Sequence, residues 1–276
     1  MEWATHPGPR SAAPPQVINT VDARYVNFNI DTGSLYNGMD FADAKFRQLT
    51  ANLAQPYSSI VRVGGTAVDS SFYFPDAPYL IGQPNLCPTC GSGAAAVGNT
   101  IMDALFDYAL ATNMSLLVDV NGKDFRAGKD GTGAWDITAN TSALLTYLNG
   151  KYGGRVDFAY SLANEPDLWK KPDGKTPLDV TPQTLASDGV TLKKALASLD
   201  IGKDVYGPSY ASVNSQLASG YLPIAAAGGV RGCECAARLP PSSPRAPPRG
   251  SAGPRCSALS PPPPARRGSP SRRYVP

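Results

Sequence analysis

Apolar and polar positions alternate along the chain in a way that predicts repeating strand–helix units. Short apolar runs are typical of buried strands, and apolar residues at every third or fourth position are typical of helices. Five runs have the strand pattern: residues 25–31, 59–65, 114–121, 155–163 and 204–208. Helical patterns follow the first four runs: residues 41–53, 100–110, 140–148 and 181–199.

Two of these helices carry more specific signals. In the first, Phe46, Leu49 and Leu53 fall on one face, which we expect to be the buried one. In the fourth, Thr181 is the expected N-cap and Pro182 the first helical residue, because a proline lacks only an N–H that would be unpaired there anyway.

Mostly apolar strands that alternate with amphipathic helices indicate a parallel sheet covered by helices. A β/α barrel and an open doubly wound sheet both have this pattern. The barrel is favoured because polar residues and long loops follow the strands, where barrel sites are built, and because no Gly-x-Gly-x-x-Gly follows the first strand. We therefore expect a (β/α)8 TIM-barrel type of α/β fold with only the first five or so units present.

Composition divides the chain of 276 residues into three parts. Residues 1–23 are expected to be a disordered lead, and residues 24–223 to form the partial barrel. Residues 224–276 contain twelve prolines, nine arginines and one acidic residue, and such a segment cannot bury enough apolar surface to fold. We expect a disordered tail. Its composition would also arise if an intron or a shifted reading frame had been translated into the sequence. Without interleaved aromatic residues or a folded reader, it predicts no specific nucleic-acid binding.

Other function classes find little support in the sequence. No run of about 18 apolar residues predicts a transmembrane helix, and the first ten residues lack the apolar core of a signal peptide. Cys87 and Cys90 have no second cysteine pair or histidine in the predicted domain to complete a zinc site, so a local disulfide or two thiols is favoured over a metal. His6, the only histidine, lies in the predicted lead, which argues against Ser-His-Asp and Cys-His mechanisms. We expect neither a metal nor a cofactor.

A candidate for chemistry lies where the fourth predicted strand ends, at Asn164-Glu165-Pro166. The chain has only three glutamates, and the other two, Glu2 and Glu234, fall in the predicted lead and tail. In glycoside hydrolysis a carboxylic acid protonates the leaving oxygen, and hydrogen bonds to the neighbouring sugar hydroxyl strengthen in the transition state. Asn164 and Glu165 supply both groups, although an ordinary surface glutamate in a loop is the alternative.

Two more strand ends carry groups that could face a sugar. Gly64 and Gly65 would let a ligand approach the backbone closely, and Asp69 could accept hydrogen bonds from sugar hydroxyls. Asn121 follows the third predicted strand. Each position also fits a simple turn with a solvated polar side chain.

The order of these motifs resembles the heparanase-like glycoside hydrolases, family 79. The motifs are residues 62–69 (Arg-Val-Gly-Gly-Thr-Ala-Val-Asp), Asn121, Trp135-Asp136, residues 163–166 (Ala-Asn-Glu-Pro) and residues 206–208 (Tyr-Gly-Pro). The resemblance spans residues 24–210. It implies a retaining glycosidase of the β-glucuronidase type on a β/α barrel, acting on β-linked glycans that contain uronic acid. It also implies a secreted, lysosomal or membrane-associated protein, with possible membrane or matrix association.

By this resemblance, Glu165 is the general acid/base and Asn164 its partner at the sugar 2-hydroxyl. The resemblance also implies a substrate-binding loop, formed by Gly64, Gly65, Thr66 and Asp69. It implies that Asn121 is an asparagine that lines the site. The family's nucleophile is a glutamate near the end of the seventh strand. After Asp204 this chain has only Glu234 as an acidic residue, with no predicted strand around it.

A retaining mechanism needs two carboxyl groups about 5–5.5 Å apart. The sequence supplies one in the expected position and no nucleophile. We therefore expect the chain to be inactive as a glycosidase, with a non-catalytic glycan-binding remnant of the same fold as the alternative.

Overall fold

The structure is a computed structural model that describes residues 27–54, 59–76, 80–81, 95–128, 131–171, 175–212 and 216–231. The predicted lead and the Cys87/Cys90 pair lie outside these ranges, as does the tail from residue 232 onward.

Strands and helices follow the predicted order, with additional short elements in the loops. The strands are β1 (Phe28–Asp31), β2 (Ile60–Gly64), β3 (Ser71–Tyr73), β4 (Leu80–Ile81), β5 (Ala95–Val97), β6 (Ser115–Val120), β7 (Phe158–Leu162) and β8 (Val205–Tyr206). The α-helices are α1 (Thr32–Tyr36), α2 (Ala44–Ala54), α3 (Asn99–Thr112), α4 (Thr141–Tyr152), α5 (Pro182–Ser198) and α6 (Gln216–Ala227). Within the described residues, short 3-10 helices cover Thr66–Ser70, Ile137–Ala139 and Pro166–Leu168. As predicted, Thr181 caps α5, its side chain accepting from the backbone N–H of Thr184.

In the part of the chain that the structure describes, the main sheet has five parallel strands in the order β1-β2-β6-β7-β8. Spatial order equals chain order, so every crossover steps in the same direction and no switch point occurs among these strands. A doubly wound sheet reverses direction at a switch point, whereas a β/α barrel does not. The expected fold class, a partial barrel of the (β/α)8 type, is confirmed.

The two faces of the main sheet differ in polarity. Residues paired across parallel strands share a face. One face carries apolar rows that belong to the same hydrophobic core as the buried helix residues. One row is Val61, Leu116 and Phe158, and the next is Val63, Val118, Tyr160 and Val205. The other face, which would line the interior of a barrel, carries the polar residues Asn29, Arg62, Asp119, Ser161 and Tyr206, together with Leu117 and Ala159. Charged and polar side chains are therefore concentrated on one side.

The buried face of α2 differs from the predicted one. Leu49 and Leu53 are 55% and 53% exposed, whereas Thr50 and Ala54 are buried. Phe46 stacks on Tyr108 of α3 with ring centroids 5.1 Å apart, and the Tyr108 hydroxyl donates to Thr50. The prediction was wrong because small residues at positions 50 and 54 let α3 approach closely, which rotates the two leucines to the surface.

Secondary structure continues past residue 223, where the sequence pattern places the end of the domain. Helix α6 runs to Ala227, and Arg231 then forms a parallel bridge with Tyr206. Its backbone N–H donates to Val205 at 2.9 Å, and its carbonyl accepts from Gly207 at 2.8 Å. The main sheet is thus extended by one residue on the outer side of β8.

A second, smaller sheet lies in the loops that follow β2. It has the order β3-β5-β4, with β3 parallel and β4 antiparallel to β5. The Asn140 side chain connects this sheet to α4, because its amide donates to the Tyr73 carbonyl at 2.7 Å and its oxygen accepts from the Tyr73 N–H at 2.8 Å. The small sheet is therefore attached to the start of α4, and the Asn121 amide, which follows β6, also donates to its Ser71 carbonyl.

Candidate active site

Asn164 and Glu165 follow β7 directly, in an unusual backbone conformation. Ala163 and Glu165 have φ of +61° and +41°, in the left-handed region that residues with a Cβ adopt at a cost. Neighbouring backbone holds this conformation in place, because the Ala163 N–H donates to Val120 of β6 at 3.0 Å and the Glu165 N–H donates to Ser209, which forms a bridge with Asn164, at 2.6 Å. The backbone thus fixes Asn164 and Glu165 at the carboxyl edge of the sheet.

The Asn164 side chain connects Glu165 to a charged pair inside the sheet. Its oxygen accepts from Nη2 of Arg62 at 2.9 Å, and its amide nitrogen donates to Oε2 of Glu165 at 3.3 Å. Arg62 also forms an ion pair with Asp119, whose side chain has no exposed surface. Because Arg62 holds the Asn164 oxygen, the amide N–H₂ group faces the carboxylate of Glu165.

Asp69 contacts the backbone of Asn164 and is buried, with only 4% of its surface exposed. One carboxylate oxygen accepts from the Asn164 N–H at 3.3 Å, and the other from the indole N–H of Trp169 at 2.9 Å. The same indole also donates to the Asn164 carbonyl at 2.8 Å. Burial raises the pKa of Asp69 to about 8, and the hydrogen bonds from Trp169 and Asn164 act in the opposite direction. In this structure Asp69 contacts the Asn164 backbone; its predicted contact with a sugar stays a prediction.

The Gly64-Gly65-Thr66 turn packs against carboxylates of the protein itself. A Cβ on Gly64 would lie 2.1 Å from Oδ2 of Asp119, and one on Gly65, whose φ is +88°, would lie 2.0 Å from Oδ2 of Asp31. Gly64 therefore leaves room for the Arg62–Asp119 pair. Thr66 is exposed and begins the 3-10 helix that carries Asp69. Close approach of a ligand to this turn remains a prediction.

Asn121 shapes the loop that follows β6. Its side-chain oxygen accepts from the N–H groups of Lys123 and Asp124 at 3.0 and 3.1 Å, and its amide donates to the Ser71 carbonyl and to Asp124, both at 3.2 Å. Burial raises the pKa of Asp124. Asn121 is thus a turn residue that also joins β6 to the small sheet, and its sugar-facing role stays a prediction.

A second buried ion pair, which the sequence interpretation missed, supports Trp169 from the other side. Nη2 of Arg126 lies 2.6 Å from Oδ2 of Asp188, and neither side chain is more than 5% exposed. The guanidinium carbon lies 5.4 Å from the centroid of the Trp169 ring. Burial raises the pKa of Asp188, against the opposite effect of Arg126. A contiguous set of contacts therefore runs from α5 to Asn164.

Arg62, Asp119 and Trp169 are the site residues that the sequence interpretation left without a role. A signal for the first two exists in the sequence, because each is a charge inside an otherwise apolar strand, and buried charges occur in pairs. Trp169 has no such signal, since its role depends on Asp69, a residue 100 positions away.

The part of the chain that the structure describes offers no group of three or more His, Cys, Asp or Glu side chains able to hold a metal ion. None of its helices has the length and apolar character needed to cross a membrane.

Comparison with known proteins finds likeness at the level of structure. No protein-family description matches the sequence, and no curated protein does. Similar solved structures are glycoside hydrolases. A 4-O-α-L-rhamnosyl-β-D-glucuronidase from Fusarium oxysporum 12S has 16% identity and a TM-score of 0.43, with 74% of this chain and 41% of that one covered. The catalytic domain of the family 30 xylanase C from Talaromyces cellulolyticus has 15% identity and a TM-score of 0.43, with 74% and 51% covered.

A Paenibacillus polymyxa xyloglucanase of family 44 has 16% identity and a TM-score of 0.40, with 66% of this chain and 43% of that one covered. The chain thus spans between 41% and 51% of the length of these three structures.

Proposed function

We propose that the chain carries the acid/base half of a heparanase-like glycoside hydrolase site, with Glu165 as the general acid/base and Asn164 as the group that binds the sugar 2-hydroxyl. One observation carries the proposal: the hydrogen bonds from Arg62 to Asn164 and from Asn164 to Glu165, at the carboxyl edge of a parallel sheet. Sites of β/α barrels lie at this edge.

The geometry suits the two roles. The Asn164 amide group points toward Glu165, so a sugar hydroxyl could accept from Asn164 while the Glu165 carboxyl donates its proton to the adjacent glycosidic oxygen. Asp119 and Asp69 support this arrangement through Arg62 and through the Asn164 backbone. Specificity for β-linked uronic acids, a retaining outcome, and any matrix or membrane association rest on the resemblance alone.

We further propose that the chain of 276 residues does not turn over glycosides. A retaining enzyme needs a second carboxylate opposite the acid/base. Asp69 and Asp119 hold protein groups instead, and beyond Asp204 the sequence has only Glu234. The domain boundaries at residues 24 and 223 also remain proposals, with Arg231 as the last residue that the structure pairs with the sheet.

The alternative is a non-catalytic glycan-binding protein that uses the same site. The observation that favours it is the preorganised Asn164 amide, which needs no nucleophile to bind a hydroxyl. Both proposals predict the same ligand contact and no turnover by this chain, and they differ in whether Glu165 keeps the role of an acid/base.

Hydrolysis of a fluorogenic β-glucuronide by the purified chain and by Glu165→Gln tests the catalytic part. We expect no difference from the uncatalysed rate for either protein. Hydrolysis by the unmodified chain that Glu165→Gln abolishes would overturn the proposed absence of turnover.

Calorimetric titration with a uronic-acid-containing oligosaccharide tests the binding part. We expect Asn164→Ala to weaken binding by about tenfold, the value of one or two hydrogen bonds. The matched control is Asn52→Ala, which removes an exposed asparagine of α2. Equal affinities for all three proteins would count against Asn164 as a sugar-binding residue.

A further inference from the structure

A cavity of about 360 Å³ lies beside the candidate active site, between the segment around residues 132–135 and the first turns of α5. An antiparallel bridge between Arg126 and Trp135 shapes this segment. The lining residues are Thr132, Gly133, Ala134, Trp135, Gln183, Thr184, Ser187, Asp188 and Thr191. Neither Asn164 nor Glu165 is among them, so the cavity is separate from the acid/base.

The lining of the cavity has the chemistry of a carbohydrate site. Hydroxyl and amide groups predominate, and among the lining residues no Lys or Arg is present. The one carboxylate, Asp188, already pairs with Arg126. Groups that donate and accept hydrogen bonds, without a free cation, suit a neutral polyhydroxylated ligand better than an anionic one.

Trp135 adds a second, independent observation. It is 5% exposed, and its indole N–H has no acceptor among the residues that the structure describes. Buried donors without a partner are rare in proteins. The N–H is itself buried, so a saccharide would reach it only when the cavity wall shifts, and the indole at this wall would then supply both an apolar ring and a donor.

The wall of the cavity is also held in place. Besides Asp188, Arg126 binds the carbonyls of Gly122 and Gly133, at 2.5 and 3.2 Å, and it lies over the ring of Trp169. Trp169 in turn donates to Asn164. The cavity wall and the candidate active site thus share one buried set of contacts, although their lining residues differ.

From these observations we infer that the cavity is a second saccharide-binding site, which takes a neutral sugar unit through Trp135 and the hydroxyl groups of α5. Binding there requires neither Glu165 nor a nucleophile. The inference therefore goes beyond the proposed function and can hold where that function fails.

Indole N–H resonances in NMR spectra separate the two sites. The chain has three tryptophans, Trp3, Trp135 and Trp169, and Trp135→Phe and Trp169→Phe identify the last two signals. The chain labelled with ¹⁵N-tryptophan is titrated with xylotetraose, a neutral ligand, and with tetragalacturonate, an anionic one. Trp135 reports on the cavity, and Trp169 reports on the Asn164–Glu165 site because its N–H binds Asp69 and Asn164.

We expect xylotetraose to shift the Trp135 resonance at millimolar concentration. Ser187→Tyr, which fills the cavity, should raise the dissociation constant about tenfold or more. Ala197→Tyr, at an exposed position near the end of the same helix, and Glu165→Gln should leave it unchanged.

Three results would overturn the inference: no shift of the Trp135 resonance, an unchanged affinity in Ser187→Tyr, or tighter binding of tetragalacturonate than of xylotetraose. If the Trp169 resonance shifted while that of Trp135 did not, the saccharide would instead be bound at the proposed acid/base.

Discussion

Nη2 of Arg62 donates to Oδ1 of Asn164 across 2.9 Å, although 102 positions separate the two residues in the chain. The bond fixes which end of the Asn164 amide faces Glu165, since the oxygen is occupied by Arg62. Arg62 is in turn held by the buried carboxylate of Asp119. An ion pair inside the sheet therefore orients the side chain that we propose to bind a sugar.

Removing the cation of this pair should destabilise the fold more than removing both charges. In Arg62→Met, the Asp119 carboxylate stays buried without a cation, which we expect to cost about 3–5 kcal/mol of the free energy of unfolding. The double variant Arg62→Met/Asp119→Leu should cost less, because no uncompensated charge remains. Urea unfolding at neutral pH of the unmodified chain, both single variants and the double variant measures the coupling. Additive losses would show that the two side chains do not interact.

The close packing of Gly64 against the same carboxylate gives a second prediction. Gly64→Ala would place a Cβ 2.1 Å from Oδ2 of Asp119, so the ion pair must shift, and we expect a loss of about 1–3 kcal/mol. Gly150→Ala is the control, because nothing lies within 4 Å of its Cβ inside α4, and it should stabilise by about 0.5–1 kcal/mol. Thermal unfolding of both variants checks the opposite signs. A neutral Gly64→Ala would mean that Asp119 has room to move.

Asp69 should make the stability of the fold depend on pH. Burial raises its pKa from the ordinary 3.8 to about 8. Between these values the unfolded chain has lost a proton that the folded chain retains, so the free energy of unfolding falls as pH rises, by up to about 1.4 kcal/mol per pH unit. Below the lower value both states are protonated, and above the upper one both are ionised, so the contribution is constant there. Asp69→Asn lacks this dependence and retains an acceptor for Trp169.

Denaturant unfolding of the unmodified chain and of Asp69→Asn, from about pH 4 to about pH 9, checks this prediction. The stability difference between them should decline with pH and level off at the upper end. Asp136→Asn is the control, because hydrogen bonds from Thr138 lower the pKa of Asp136 below its ordinary 3.8, so its contribution is nearly complete at the acidic end of this range and should stay level above it. A constant difference for Asp69→Asn would mean that Asp69 is ionised in the folded chain at neutral pH.

The sequence predicts the strands and their helix-facing side better than it predicts the contacts between individual side chains. Rows such as Val63, Val118 and Tyr160 face the helices, and their apolar runs reveal the strands and the parallel sheet. The buried face of α2 was predicted wrongly, because it depends on the small residues Thr50 and Ala54 that face α3. Hydrophobic periodicity does not distinguish a small buried residue from a small exposed one.

The candidate site shows the same division. The series of motifs at strand ends points to Glu165 and Asn164, which the structure places at one edge of the sheet. The supporting contacts, from Arg62 to Asp119 and from Asp69 to Trp169, join residues 57 and 100 positions apart. Such pairings depend on the register of β2, β6 and β7, which only the folded chain defines.

The backbone at Glu165 leads to the last prediction. Its φ of +41° lies in the left-handed region, which costs a residue with a Cβ roughly 1–2 kcal/mol and costs glycine little. Glu165→Gly and Glu165→Ala both remove the carboxylate, so their difference isolates the backbone. We expect the glycine variant to be the more stable by up to about 1 kcal/mol, as measured by thermal unfolding.

The control is the same pair of substitutions at Asp167, which lies inside the 3-10 helix after Glu165. There the backbone is helical, so alanine should be the more stable of the two, because glycine loses more conformational freedom on folding. If Glu165→Gly were no more stable than Glu165→Ala, position 165 would carry no strain. If the predicted order holds, the chain retains an unfavourable conformation at the residue that we propose as acid/base, as expected where strain positions a functional side chain.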